Sequence, residues 1–561
     1  MTNSDILDTL EITAKLLELH DGDANRVKTY GALSYSLGKV LEPLAAMSFQ
    51  ELTSIQGVGR LVAQNIRELV ETGQLKELND LVLQTPEGLL DLFKIKGLGV
   101  KKIKILWKEL GIDNLNDLQI ACENGLIATV KGFGTKTQEA ILVSLAFLQS
   151  QAGKLRMNKA ADLALDIRDS LIPFFTQIEI VGEVARNCEV ASCIQLVVVQ
   201  DVSMPITISH PDFVEDLLIS QPFIWRGKFK ENQILVEIHA VSASQFVATK
   251  LQLTAHTDHL SYVSPTGKTL QEALNIDSPR GYEKEYYDSL SLPYILPEMR
   301  EGLYEWAWAK EHTIEELVTW ESLKGTLHNH STYSDGKHSL REMAEFCRSL
   351  GLSYFGIADH SQTATYANGL SPERVKAQWA EIDALNAEWT DFKILKGIES
   401  DILGDGSLDY PDELLAGFDY VVASVHQNLS MDIVKATDRL IKAIAHPATT
   451  ILGHPTGRLL LSRNGYPIDY KAIIDACAAY QVTMELNASP YRLDLDWRWI
   501  PYCMEKGVRI SINPDAHEME GFFDMKYGVA VARKAGLLSK NTYNALSLTE
   551  IEQDLLAKKK S

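Results

Sequence analysis

Eight of the fourteen histidines in this 561-residue chain follow Gly325, and six of them stand at the ends of short apolar runs. The runs are TLHNH (His328, His330), YFGIADH (His360), ILKGIES (Glu399), YVVASVH (His426), TILGHP (His454), VTMELN (Asn487) and VRISINPDAH (Asp515, His517). Residues i and i+2 of an extended strand face the same side, so His328 and His330 make a short-range clamp for a metal. Asp335 follows in an S-D-G turn that bends a carboxylate back toward the same place. Glu399 has two carboxylate oxygens and can bridge two cations. With His360, His426, His454, Asp515 and His517 the set reaches nine nitrogen and oxygen donors without a thiolate, more than one ion needs. This donor set suits two or three divalent ions, Zn²⁺ or Mn²⁺ foremost, in a hydrolytic centre rather than a cysteine-rich structural zinc site. A lone histidine after an apolar run is more often a hydrogen-bonded core residue, but recurrence at several strand ends reverses that reading. His338 is a marginal seventh histidine.

Such a centre needs elements that bring strand ends to one rim. From 324 to 561, seven strand-like runs separated by helical segments predict a (β/α) barrel, with polar groups at the C-terminal strand ends. From 156 to 305 a helix precedes IEIVGEV, IQLVVVQDV and QILVEIHAV, which predict strands of an α+β region. Residues 306–323, with an acidic helical stretch near Glu315 to Glu321, predict a linker. Residues 1–85 and 86–155 predict two all-α domains. In them three turns recur, Ile55-Gln-Gly57-Val-Gly59, Ile95-Lys-Gly97-Leu-Gly99 and Val130-Lys-Gly132-Phe-Gly134, each leading into a helix-compatible stretch.

Composition sets the partners. Apolar residues at 45% and charged ones at 23% exclude collagen-like and wholly disordered classes. A net charge of −21 repels polyanions, so contact with nucleic acid must be local. Lys94, Lys96, Lys101, Lys102, Lys104 and Lys108 supply that locality, with no acid between 94 and 108. A solvated helix face is the plain alternative for these lysines. The G-x-G turns beside them let backbone N–H groups approach a phosphate without reading sequence. Six cysteines without a C-x-x-C pair, no basic leader and no run of 18 apolar residues lead us to expect a cytoplasmic, monomeric protein without a membrane partner.

LKGTLHNHSTYSDGKHSL, GIADH, GIES, SVH, GHPTGRLLL and NPDAH resemble a PHP (polymerase and histidinol phosphatase) domain over 324–561. All nine metal positions of that pattern are filled. The resemblance implies a distorted seven-stranded barrel, a metal cluster that hydrolyses phosphoesters, and Glu399 and Asp515 as catalytic residues, with Arg458 and Arg492 placed to hold phosphate.

The whole chain resembles the bacterial family X DNA polymerases: helix-hairpin-helix domains, a nucleotidyltransferase-like palm (156–240), a thumb-like stretch (241–305) and the PHP domain. That implies sequence-nonspecific binding of DNA ends, gaps or single strands through Gly57, Gly59, Gly97, Gly99, Lys101, Lys102 and Lys104, and admits a monovalent cation at the turns. The palm departs from the family pattern. The G-S-x-R-R run is Gly182-Glu183-Val-Ala-Arg186, the D-x-D positions are Cys193 and Gln195, and of that set only Glu237 keeps a carboxylate. Nucleotidyl transfer needs carboxylates to hold its metal ions, and Glu183 repels a triphosphate. The family's Schiff-base lysine is replaced by Asn65, whose amide cannot form an imine. The expectation is therefore a 3′-to-5′ exonuclease or 3′-end-processing nuclease with a silent palm. Its rivals are an active repair polymerase with exonuclease, a non-catalytic DNA-binding scaffold, and a histidinol-phosphate-type phosphatase.

Overall fold

Each G-x-G turn closes in the same way: the N–H of the middle residue, Val58, Leu98 or Phe133, donates to the carbonyl three residues earlier, of Ile55, Ile95 or Val130, at 3.0, 3.1 and 3.0 Å. The first glycine of each turn, Gly57, Gly97 and Gly132, has φ of 90, 86 and 90°, a left-handed conformation open to glycine at no steric cost. The second glycine caps the following helix, Arg60–Thr72, Val100–Leu110 or Thr135–Gln151. These repeats belong to the first of two compact units, 1–152 and 153–561, into which the chain divides. The protein is described here from a computed structural model that covers residues 1, 3–37, 40, 42–274 and 280–560. The first unit buries one apolar cluster around Val62, Ile66 and Leu69 and another around Ile103, Leu106 and Leu118.

In the second unit the palm-like region holds strands β1 (Leu155–Arg156), β2 (Ile178–Val181), β3 (Val190–Ala191), β4 (Cys193–Val199), β5 (Phe213–Glu215), β6 (Ile224–Phe229) and β7 (Leu235–Val241). β1 pairs with β3, and the others form one sheet in the order β2-β4-β7-β6-β5, with β4 and β7 parallel. IEIVGEV is not one strand: it stops at Val181, because Gly182 at φ 69° opens the short helix Gly182–Ala185. β5 and β6 carry charged and exposed residues, which hid them from a search for apolar runs. The acidic stretch near Glu315 is not a helix of length but two 3₁₀ turns, Ile314–Glu316 and Trp320–Ser322, each with a capping box.

All seven barrel strands expected from sequence are present: β8 (Gly325–Thr326), β9 (Tyr354–Ile357), β10 (Lys393–Asp401), β11 (Tyr420–Ser424), β12 (Ile451–Leu452), β13 (Thr483–Asn487) and β14 (Ile510–Asn513). They run parallel in sequence order. Between the outer strands, β8 and β14, side chains replace a ladder. Buried Asn544 donates to Gly325 O (3.0 Å) and Ile512 O (2.7 Å) and accepts from Ile512 N (3.0 Å), while Asn513 accepts from Leu327 N (3.2 Å). Further up, His330 N donates to Ala516 O at 2.8 Å. This accounts for the distortion: β8 is two residues long and cannot complete a regular seam.

Glycines in the strands make room for aromatic packing inside the barrel. A Cβ at Gly397 would lie 2.2 Å from the Tyr420 ring and 2.4 Å from Ile357 O. Tyr420 is buried with Tyr354, Leu395 and Leu555. No helix among the described residues is long and apolar enough to cross a membrane. We expect Gly397→Ala to destabilise the second unit by about 1–3 kcal/mol through overpacking, read as a lower urea midpoint; an unchanged midpoint would contradict this packing.

Candidate metal centre

Glu399 emerges from β10, the longest barrel strand, and collects imidazoles from four loops. Its Oε1 lies 3.0 Å from His454 Nε2, 3.1 Å from His426 Nε2 and 3.3 Å from His328 Nε2, and its Oε2 lies 2.9 Å from His360 Nδ1. Asp515 Oδ1 lies 3.0 Å from His330 Nε2 and 3.7 Å from His328 Nε2. Asp335 Oδ1 lies 3.4 Å from His517 Nε2 and 3.7 Å from His360 Nε2. All nine residues singled out by sequence come together. They form three overlapping groups that could each hold a metal ion: His330, Asp335, His360 and His517; His328, His330 and Asp515; His360, Glu399 and His426. His454 reaches Glu399 without joining these groups, and His338 stands outside them.

The donors fit cations. His328 Nε2, His360 Nδ1 and Glu399 Oε2 are buried and make no hydrogen bond of good geometry. Each orphan costs on the order of 1–3 kcal/mol unless something satisfies it. Burial opposes charge here, yet the His426, His328 and His360 rings hold Glu399 well below the usual carboxylate range. Against its own burial, His426 is pushed up to about 10 by Glu399 and Asp401. His330, buried against His517 and His360, is pushed down to about 3. Acidic oxygens that raise a proton affinity this far also attract a divalent ion.

A ring of polar residues holds the donors in place. Glu485 Oε1 lies 2.7 Å from His328 Nδ1 and accepts from Asn513 Nδ2 (2.9 Å), while Glu485 Oε2 accepts from His454 N (2.7 Å). Asp401 Oδ1 sits 2.5 Å from His426 Nδ1. Asn487 Nδ2 donates to Asp515 Oδ2 at 3.0 Å. Buried Asp359 accepts from Ser331 N (2.8 Å) and Ser334 Oγ (2.5 Å), fixing the turn that presents Asp335. Sequence reasoning assigned no role to Glu485, Asp401 or Asp359. The signal for two of them was there: Asp401 stands two residues past Glu399 and Glu485 two before Asn487, so each shares a strand face with a residue already noted.

The two arginines part company. Arg492 Nε lies 3.7 Å from Asp515 Oδ2, at the cluster. Arg458 Nε donates to Arg492 O (2.9 Å), and its other nitrogens contact Leu493 O, Asp496 and Glu189. Each of its three guanidinium nitrogens already has a partner, so the group holds the loop that carries Arg492.

Comparison with known proteins agrees with the architecture. The PHP domain model matches residues 326–489, a helix-hairpin-helix domain model matches 1–75, and a SAM-like helix-hairpin-helix tandem model matches 89–146. The DNA polymerase/3'-5' exonuclease PolX of Bacillus subtilis (strain 168) is 36% identical over 575 residues, covering 98% of this chain and 99% of that protein. The chain belongs to the bacterial family X DNA polymerases with a C-terminal PHP domain. Two proteins named probable phosphatases each match part of the chain. One from Caldanaerobacter subterraneus subsp. tengcongensis is 33% identical over 135 residues (22% of this chain, 51% of that protein), and one from Thermoanaerobacter sp. (strain X514) is 27% identical over 244 (42% and 94%).

Within this family X chain, the palm's polar positions are occupied by one another. Gln195 and Glu237 pair across parallel strands β4 and β7. Gln195 Nε2 donates to Glu237 Oε2 (2.7 Å), and Arg226 Nε donates to Glu237 Oε1 (2.5 Å). His239, together with Arg226 and Gln195, holds the Glu237 carboxyl down to about 2 against the effect of burial. Cys193 is a half-buried thiol, and burial pushes it far up, away from thiolate. The Glu183 carboxylate accepts from Ser192 N (2.6 Å), Ser192 Oγ (2.9 Å) and Cys193 N (3.2 Å), taking backbone donors for itself. Arg186 Nε donates to Glu301 (3.0 Å), which also pairs with Lys534 of the barrel region.

In the first unit, the Cβ positions of Gly59, Gly97 and Gly99 face open space. Lys101 is exposed, Lys102 Nζ folds back over Gly97 O (3.5 Å), and Lys104 is paired with Asp21. Asn65 is buried, donating to Tyr30 Oη at 2.5 Å and to Glu77.

Replacing Asp401 by Asn removes the negative charge beside His426 Nδ1. We expect metal affinity to fall about 10–100-fold with the fold intact, measured by equilibrium dialysis and circular dichroism; unchanged affinity would show that Asp401 does not tune the cluster.

Proposed function

We propose that this protein is a DNA-end nuclease, a metal-dependent 3′-to-5′ exonuclease with 3′-end-processing activity, whose palm no longer polymerises. The single observation that carries this is the contrast between two sites in one chain: nine donors converge at the barrel rim, while in the palm Glu237, opposite Gln195 on β4, is bonded to Arg226 and Gln195. The Bacillus subtilis relative's name supports the exonuclease half, and the probable phosphatases support phosphoester hydrolysis in the barrel.

His328, His330, Asp335, His360, Glu399, His426, His454, Asp515 and His517 would hold two or three divalent ions, Zn²⁺ or Mn²⁺. Bound ions of this kind supply an activated water and offset charge on the leaving oxygen. Arg492 would hold the phosphate beside Asp515, and Arg458 would keep the Arg492 loop in place. The hairpin turns at Gly57, Gly59, Gly97 and Gly99, with Lys101 and Lys102, would grip the DNA backbone without reading sequence; the protein acts as a monomer. Asn65, enclosed by Tyr30 and Glu77, provides no lyase chemistry.

With a labelled gapped duplex and Mn²⁺, we expect primer bands that shorten and, on adding dNTPs, none that lengthen. Glu399→Gln should slow shortening at least about 100-fold, since the carboxylate that faces four imidazole donors loses its charge. Lengthened bands would instead establish the active polymerase with exonuclease, the reading its Bacillus relative's name favours. Replacing Lys101 and Lys102 together by Ala should reduce the slope of log binding constant against log salt by about 1–2, roughly one per lost phosphate contact.

A further inference from the structure

One aromatic side chain beside the cluster is left over by this account. Tyr366 is 64% exposed, yet its ring centroid lies 6.2 Å from that of His360 and 6.5 Å from that of His426. The other exposed tyrosine near this rim, Tyr491, has its face covered by Arg156 at 3.8 Å.

The segment carrying Tyr366 is tightly held. It forms the 3₁₀ turn Thr365–Ala367, ending at Asn368 with φ of 56°. Asn368 Nδ2 donates to Ser334 O (3.1 Å), beside the turn that presents Asp335. Gly369 packs so closely that a Cβ would lie 1.9 Å from Ser361 O. Upstream, Thr363 N donates to Asp409 Oδ2 (2.8 Å) and Thr363 Oγ1 to Asp401 Oδ2 (3.0 Å), and Asp401 also orients His426. The segment that carries the ring is therefore anchored by the same carboxylate that orients a donor, and a platform on a fixed backbone loses less entropy on binding.

Resting on the nuclease reading above, we propose that Tyr366 is a stacking platform for the nucleobase of the strand's terminal nucleotide, so that the site selects polynucleotide ends over bare phosphomonoesters. Arg492 supplies the positive charge for the phosphate, and Tyr366 the apolar face for the base. Base–aromatic stacking tolerates any base, which matches an enzyme that reads no sequence.

The test uses the full-length protein with Mn²⁺ and two 5′-labelled single-stranded oligonucleotides, identical except that one ends in a normal nucleotide and the other in a tetrahydrofuran abasic residue. Tyr366→Ala should raise KM for the normal end about 5- to 100-fold, with kcat within about two-fold of wild type; Tyr366→Phe should restore it. On the abasic end neither substitution should matter. Equal slowing on both ends, or on neither, overturns the stacking role alone. Wild-type protein that releases neither end overturns the exonuclease reading and the stacking role with it.

Discussion

The second unit is organised around a single buried carboxylate. Glu399 lies on β10, the third of the seven barrel strands, and four imidazoles from four different loops come within 3.3 Å of its two oxygens. A buried acid in such company is costly unless positive charge is shared among its neighbours. Glu485, Asp401 and Asn487 hold the donors from behind, and the hydrogen-bond capacity left open at the centre is a further cost that a bound cation would offset. Even the irregular seam serves it: with β8 only two residues long, the chain leaves the strand before His328 and His330 and brings both to the rim.

The palm shows the reverse. Its sheet places Gln195 opposite Glu237 on adjacent parallel strands, a geometry suited to two facing carboxylates and a shared cation. With an amide on one side, the pair becomes a hydrogen bond, and Arg226 takes the remaining oxygen. Glu189, just before β3, accepts from Trp497 Nε1 (3.1 Å) and pairs with Arg458, while Lys534 Nζ donates to Arg186 O (3.0 Å). These contacts fasten the palm to the barrel close to the loop that carries Arg492.

Much of this was legible beforehand. Seven strands, three hairpins and nine donors were readable because each rests on local patterning: period-two apolar runs, a glycine needed at positive φ, a histidine at a strand end. The palm's expected departures rest on residue type alone, Cys193 and Gln195 where the family pattern has acids. Less legible were β5 and β6, whose exposed and charged residues mask the pattern, and the end of β2, where Gly182 turns the chain. The role expected of Arg458 also changed, because nothing local to GHPTGR shows that Glu189, far away in sequence, neutralises it.

Residue type and spacing by themselves determined what the chain offers: more nitrogen and oxygen donors than one ion needs, glycine turns beside a run of lysines, and no D-x-D pair between residues 177 and 245. Only the tertiary structure decided how those residues are divided. It showed which donors share a centre, that Asp401 and Glu485 orient them, that Lys104 is paired with Asp21, and that Tyr366 stands exposed beside the cluster. The reason is physical. Coordination capacity belongs to a side chain, whereas hydrogen-bond partners, burial and neighbouring charge come from residues that meet only when strands and loops distant in sequence pack together.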